Sequence, residues 1–114
     1  MGLDTYAAYN RDGFPLMEAS LFPDNCLCGG LFSGGTGNSF RGKVYADFLE
    51  YISKISLYQE VMPNEEVGKL ATDIEWARKS FPEGYEGITP EEMKDLARWF
   101  QIVYDNEGVV LGWW

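Results

Sequence analysis

Apolar residues recur at helical spacing in three stretches of this chain, and each stretch predicts an amphipathic helix. The first helix is predicted to begin near Lys43, with Ser39 as its N-cap. The second is predicted over residues 65–80, with Asn64 as its N-cap. The third begins at residues 89–92, Thr-Pro-Glu-Glu, which supply a cap, a proline at the first helical position and a glutamate at the third.

Apolar runs at both ends of the chain predict β-strands. Residues 3–9 and 14–21 flank an Asp-Gly pair, which indicates an N-terminal hairpin or a strand followed by a loop. Residues 56–62 fit either a short strand or an extended connection. Residues 105–108, Asp-Asn-Glu-Gly, end the third helix, and residues 109–114 then predict a terminal strand.

Together these elements predict an α+β fold, in which three helices pack on a small sheet that includes the N- and C-terminal strands. Of the 114 residues, 46% are hydrophobic and 16% aromatic, which is enough apolar material for one core. No internal repeat or low-complexity linker divides the chain. We therefore expect residues 1–114 to form a single compact domain.

Glycine is concentrated in residues 29–42, where six positions carry it. Residues 37–44 match the glycine and lysine spacing of a P-loop, but Val44 replaces the Ser or Thr that binds magnesium. No apolar strand ending in Asp follows, which disfavours a nucleotide hydrolase. A non-catalytic phosphate cradle fits better, with backbone amides as donors and Arg41 and Lys43 as cations. The predicted ligand-binding residues are Gly34, Gly35, Gly37, Asn38, Ser39, Arg41, Gly42, Lys43 and Tyr45.

The formal net charge is −9, and the chain contains no histidine. Residues 60–114 carry twelve acids and five bases, whereas residues 25–46 carry Arg41 and Lys43 and no acid. Because binding to nucleic acid requires clustered Lys and Arg, this charge argues against a nucleic-acid partner. The glycine-rich segment is the one locally positive stretch, and it also fits a tightly turned surface loop without a ligand.

The residue types offer little chemistry for catalysis or metal binding. Without histidine, a serine or cysteine nucleophile lacks its usual base. Cys26 and Cys28 are too close in sequence for an unstrained disulfide and too few for a zinc site. The carboxylate pairs at residues 65–66 and 91–92 fall in helix first turns, where the helix dipole accounts for them. We expect no enzyme activity, no metal and no cofactor.

Tryptophan is the second candidate for a binding role. Trp76 and Trp99 adjoin the apolar stripes of helices, and we expect both to pack in the core. Trp113 and Trp114 lie at the end of a terminal strand, where we expect them to cap the core or to join two copies in a homo-oligomer. The chain shows no signal-peptide pattern and no apolar run long enough to span a membrane, which predicts a cytoplasmic protein without a membrane partner.

Five segments spread over most of the chain form a distinctive set: residues 1–6 (MGLDTY), 29–35 (GGLFSGG), 39–45 (SFRGKVY), 56–60 (SLYQE) and 112–114 (GWW). Together they resemble a group of small uncharacterised bacterial and phage proteins. This resemblance implies a compact domain with a special role for the glycine-rich segment, and it brings no established activity.

The sequence therefore predicts a small non-enzymatic protein that binds a phosphate-bearing, nucleotide-like molecule at residues 34–43. By analogy of size and ligand chemistry with small phage proteins, such a protein could sequester a signalling nucleotide. The alternative is an acidic protein-interaction module or inhibitor. In that hypothesis the helices over residues 65–79 and 91–98 face a basic host protein, with Trp residues as anchors.

Overall fold

Four antiparallel strands form one sheet in the computed structural model, which describes residues 3–12, 15–23, 26–27 and 37–114. The terminal strands are neighbours at its centre, and the spatial order is β2-β1-β4-β3. The strands are β1 (Asp4–Ala8), β2 (Ser39–Arg41), β3 (Val61–Met62) and β4 (Val109–Trp113).

Three α-helices lie between the second and fourth strands in sequence: α1 (Ala46–Ser53), α2 (Asn64–Ser80) and α3 (Pro90–Asp105). Gly68 of α2 lies against the Tyr104 ring of α3, so the start of one helix meets the end of the other. The helices and the central pairing of β1 with β4 confirm the predicted α+β fold, including the terminal strands in the sheet.

One face of the sheet packs on the helices. Ala7, Phe40, Met62 and Val110 alternate with residues of the opposite face and belong to the same core as the apolar stripes of α2 and α3. Burial of this shared apolar surface is the main favourable contribution to folding.

Trp99 of α3 lies at the aromatic centre of this core and is almost fully buried. Its ring stacks on Phe22 with centroids 5.5 Å apart and meets Phe40 edge-to-face at 4.8 Å. Its indole Nε1 donates to the carbonyl oxygen of Gly37 at 2.9 Å. One side chain thus joins α3 to β2 and to the segments before it, and the prediction that Trp99 packs in the core is confirmed.

The start of α3 forms the predicted capping box. Thr89 Oγ1 accepts from the Glu92 amide, and Glu92 Oε1 accepts from the Thr89 amide, both at 3.1 Å. The other carboxylate oxygen of Glu92 accepts from the buried Tyr45 hydroxyl at 2.7 Å. Glu92 therefore links the beginning of α3 to the residue that precedes α1.

Two predicted N-caps are wrong. Ser39 lies in β2, opposite Tyr6, because its backbone pairs with β1. The first helix consequently begins at Ala46, after a short 3₁₀ turn, rather than near Lys43. Asn64 is the first residue of α2, and its side-chain amide donates to the carbonyl oxygen of Gly108 at 2.8 Å.

Of the two predictions for the N-terminus, a strand followed by a loop is confirmed and the hairpin is wrong, since the described residues of the 14–21 run pair with β1 through a single bridge between Ala8 and Leu16. Strand β1 pairs instead with β2 and β4, which use most of its backbone groups. The Pro15 carbonyl accepts from the Tyr9 amide at 3.1 Å, but Pro15 has no N–H to donate in return. Within the ranges that the structure describes, no helix is long and apolar enough to cross a membrane.

Gly42 provides a test of close packing between β1 and the turn before α1. A Cβ at this buried position would lie 2.1 Å from Thr5 Oγ1. We predict that Gly42→Ala lowers the free energy of unfolding by about 1–3 kcal/mol, the usual cost of overpacking. In a Thr5→Ala background the loss should shrink, because the clashing oxygen is gone. Urea unfolding measures the free energy of unfolding of Gly42→Ala, Thr5→Ala, the double variant and the exposed control Lys43→Ala. If Gly42→Ala costs the same free energy with Thr5 as with Ala at position 5, the prediction is contradicted.

The Tyr45 hydroxyl provides a second test. We predict that Tyr45→Phe lowers the free energy of unfolding by about 1.5–3 kcal/mol, because Glu92 loses a hydrogen bond to its carboxylate. The control is Tyr51→Phe, since the Tyr51 ring is exposed and its stacking on Tyr85 does not need the hydroxyl. Indistinguishable denaturation midpoints for the two variants would show that this hydrogen bond contributes little.

Candidate functional site

The predicted phosphate cradle begins outside the described residues, where Gly34 and Gly35 lie. The next two predicted residues hold the fold together. The Gly37 carbonyl accepts from the Trp99 indole, and the Asn38 side-chain amide donates to the Met17 carbonyl at 2.8 Å. The Asn38 carbonyl also accepts from the Ala7 amide at 3.0 Å. These groups serve internal contacts in the structure.

Three further predicted residues are buried. Ser39 lies in β2, and its Oγ has no hydrogen-bond partner in the structure. The Gly42 amide donates to the Leu3 carbonyl at 2.8 Å, so it is not a free donor. Tyr45 directs its hydroxyl to Glu92 and contacts Phe40 edge-to-face. The arrangement uses these groups for packing and strand pairing.

Among the described members of the predicted set, Arg41 and Lys43 are exposed. They flank buried Gly42, with Arg41 as the last residue of β2 and Lys43 in the 3₁₀ turn that follows. Helix α1 follows them with Asp47 in its first turn, where the carboxylate already meets the positive end of the helix dipole. An anion at this helix start would face that carboxylate.

The sheet face opposite the helices carries a different set of side chains. Asp4 pairs with Arg41 on one side and with Trp113 on the other, so these three share a cross-strand row. The adjacent row contains Tyr6 and Leu111, which pair directly, since alternate strand residues point to the same face. Arg41 and Trp113 are exposed and Tyr6 is partly exposed.

A cleft with a volume of about 480 Å³ opens at this face. Val61 and Leu111 contribute apolar surface, and Trp113 and Trp114 contribute aromatic surface from the end of the chain. The ring of Trp114 meets Tyr58 edge-to-face, with centroids 5.6 Å apart. The residues that line the cleft are Tyr6, Arg11, Asp12, Glu60, Val61, Leu111, Gly112, Trp113 and Trp114.

The cleft has mixed charge with an excess of acid. Asp12 and Glu60 supply two carboxylates and Arg11 one guanidinium, and all three residues are exposed. Burial raises the pKa of the Tyr6 phenol above its ordinary value, so the ring stays neutral at physiological pH. The site therefore combines neutral aromatic surface with a net negative charge.

Exposure separates the four tryptophans. Trp113 and Trp114 are 60% and 49% exposed, so they do not cap the core, while the joining of two copies through them stays a prediction. Trp76 is 65% exposed on α2, so the prediction that it packs in the core is wrong. Val67, Leu70 and Ile74 form the buried stripe of α2, and Trp76 falls outside it.

Several acidic side chains of the helices have partners within the protein. In α2, Asp73 pairs with Lys69 at 3.0 Å, and Glu75 pairs with Arg78, which lowers the pKa of the Glu75 carboxyl chiefly by hydrogen bonding. In α3, both carboxylate oxygens of Glu92 already accept hydrogen bonds. Much of the helical acid is thus used within the protein.

Cys26 is the described cysteine, and its backbone amide and thiol both donate to Asp95, at 2.9 and 3.1 Å. Burial and the Asp95 carboxylate raise the pKa of this thiol to about 11. The thiol is therefore protonated at neutral pH, which makes it a poor nucleophile. Among the described residues, no three His, Cys, Asp or Glu side chains lie close enough together to hold a metal ion.

Sequence reasoning missed Tyr6, Arg11, Asp12 and Glu60 as members of a site. They come from β1, from the loop that follows it and from the connection before β3, and only strand pairing brings them beside Trp113. One signal in the sequence was available. Residues 4, 6 and 8 of β1 alternate with residues 3, 5 and 7, so Tyr6 is expected on the opposite face of the sheet from Leu3, Thr5 and Ala7.

Comparisons with protein-family models, with curated proteins and with solved structures give no match to this chain.

Proposed function

We propose that this protein is a non-enzymatic interaction module that binds a basic segment of a partner protein at the open face of its sheet. The observation that carries the proposal is the cleft at the end of β4, where Trp113 and Trp114 adjoin the carboxylates of Asp12 and Glu60. The predicted cytoplasmic location is part of this proposal.

The exposed aromatic side chains support binding to a protein. Trp and Tyr are the residue types that most often supply binding energy at interfaces, because they bury a large area at a small cost in conformational entropy. Trp113 remains 60% exposed at the end of a strand whose inner residues are packed. A partner that covers this indole would gain apolar burial that folding leaves unused.

The charge supports a basic partner. A net charge of −9 attracts a positive segment over a distance and raises its association rate. Locally, the cleft has two carboxylates against one guanidinium. In the predicted alternative the acidic helices made this contact, but α2 has internal ion pairs and Glu92 is used structurally, so we place the contact at the sheet face.

The proposal predicts that a short lysine-rich peptide binds and that its glutamate-rich counterpart does not. Fluorescence anisotropy of labelled peptides measures both, and added salt should weaken the lysine peptide. Trp113→Ala should weaken binding by about tenfold or more, the effect of removing an anchor tryptophan.

Trp76→Ala is the matched control, because Trp76 is equally exposed but lies on α2, away from the cleft. It should leave the affinity unchanged. Equal losses in the two tryptophan variants, or equal binding of the two peptides, would contradict the proposal.

A phosphate-bearing small molecule is the second candidate ligand. Arg41 and Lys43 are both exposed, and Arg41 shares a sheet face with Tyr6 and Trp113, whose rings could stack on a base. Asp4 lies between Arg41 and Trp113 in the same row, however, and the described amides of Gly42 and Ala7 are already bonded. These contacts make it the weaker candidate.

This second candidate predicts that a nucleotide adds a discrete mass to the protein in native mass spectrometry after incubation with a deproteinised cell extract. Arg41→Ala/Lys43→Ala should weaken that binding by about 3–6 kcal/mol in total, taking the usual value for two charge-assisted hydrogen bonds. Lys54→Ala/Lys79→Ala, which removes two exposed cations elsewhere, is the charge-matched control. An extract that adds no mass would remove the candidate.

A further inference from the structure

The aromatic walls of the sheet-face cleft are set by strand register. Asp4 lies opposite Trp113 and Tyr6 opposite Leu111, which makes Tyr6 and Trp113 diagonal neighbours on the same face. Diagonal residues on paired strands lie about 7–8 Å apart, within reach of one another's aromatic side chains. Leu111, which pairs with Tyr6, is buried. The cleft thus has an apolar floor beside two rings.

The charges around these rings discriminate among ligands. Asp12 and Glu60 would repel a phosphate or a carboxylate, and a neutral apolar group would leave both carboxylates without a role in binding. A cation is attracted both by the negative faces of aromatic rings and by the carboxylates. Arg11 offsets one of the two negative charges, so the cleft keeps a net attraction for a positive group.

From this geometry we infer that the cleft lined by Tyr6, Trp113 and Glu60 is a binding site for an alkylammonium head, such as a lysine side chain or its N-methylated form. The inference rests on the proposed function for the peptide that carries the head, and it specifies which group of that peptide enters the cleft. A cleft of about 480 Å³ accommodates a trimethylated ammonium as well as a primary one.

A second copy of the chain and an added β-strand fit this face less well. Two copies would bring net charges of −9 together, and that repulsion opposes association. The sheet edge beside the cleft, β3, has two residues and offers little backbone for an added strand. A compact positive head, in contrast, needs only the rings and carboxylates already present.

The indole N–H resonances of the four tryptophans test the head-group site directly. Tetramethylammonium chloride is titrated into ¹⁵N-labelled protein, with sodium chloride at equal ionic strength as the reference, and single Trp→Phe variants assign the signals. We expect saturable shifts of Trp113 and no shift of exposed Trp76 or buried Trp99. Glu60→Gln should weaken the Trp113 response by several-fold. Trp113→Leu keeps an apolar side chain, and its effect is followed at the indole of Trp114, which also lines the cleft; there the response should weaken by about tenfold.

Peptides that differ only at lysine separate this inference from the proposed function. Binding should persist on trimethylation, which keeps the charge, and should fall about tenfold on acetylation, which removes it. Suppose that the lysine peptide binds through Trp113 but loses its binding on trimethylation, and that tetramethylammonium causes no indole shifts. This result would overturn the head-group site and would still support the interaction module. Saturable Trp113 shifts without any peptide binding would support the site and overturn the module.

Discussion

The fold depends on the burial of Trp99. This ring joins helix α3 to Phe22 and Phe40, while its indole N–H holds the Gly37 carbonyl. A buried indole needs a hydrogen-bond partner, and the partner is a backbone group just before β2. The same residue therefore fixes the entry of the chain into the sheet, which positions Arg41 beside β1. The register of β1 with β4 then places Tyr6 near Trp113 and so determines the cleft.

Local sequence patterns were enough to predict those elements whose start or end is determined by neighbouring residues in the sequence. Thr89 and Glu92 form the capping box that the sequence indicates, and β4 follows the predicted helix stop. Ser39 illustrates the limit, because it is a good N-cap by type but pairs with Tyr6 in a strand. That pairing joins residues far apart in the sequence, so no local pattern contains it. The cleft has the same origin, since β1 brings residues from both halves of the chain together.

Glycine and tryptophan lead to opposite conclusions in this protein. A Cβ at Gly42 would clash with the side chains of Thr5 and Leu3. A Cβ at Gly112 would clash with the carbonyl oxygens of Leu57 and Gln59. Each of these glycines has a packing role that explains it without a ligand. Trp113 and Trp76 leave most of their indole in solvent, and burial in the core does not account for them. Exposed aromatic surface is consequently the stronger indication of a binding role.

Charge distinguishes the surroundings of two exposed tryptophans, Trp76 and Trp113. Trp76 lies on a helix whose acids Asp73 and Glu75 are paired with neighbouring bases, so a cation that approached it would compete with existing ion pairs. Trp113 shares a cleft with Glu60 and Asp12, and the described residues contain no ion pair that involves either carboxylate. An indole beside such carboxylates offers a cation two attractions at once, from the ring face and from the charge. On the helices, Glu65 and Glu91 are also exposed and in no ion pair among the described residues, but both lie in first turns, where they meet the helix dipole. The sheet face is distinguished by having its carboxylates in the same cleft as exposed tryptophan.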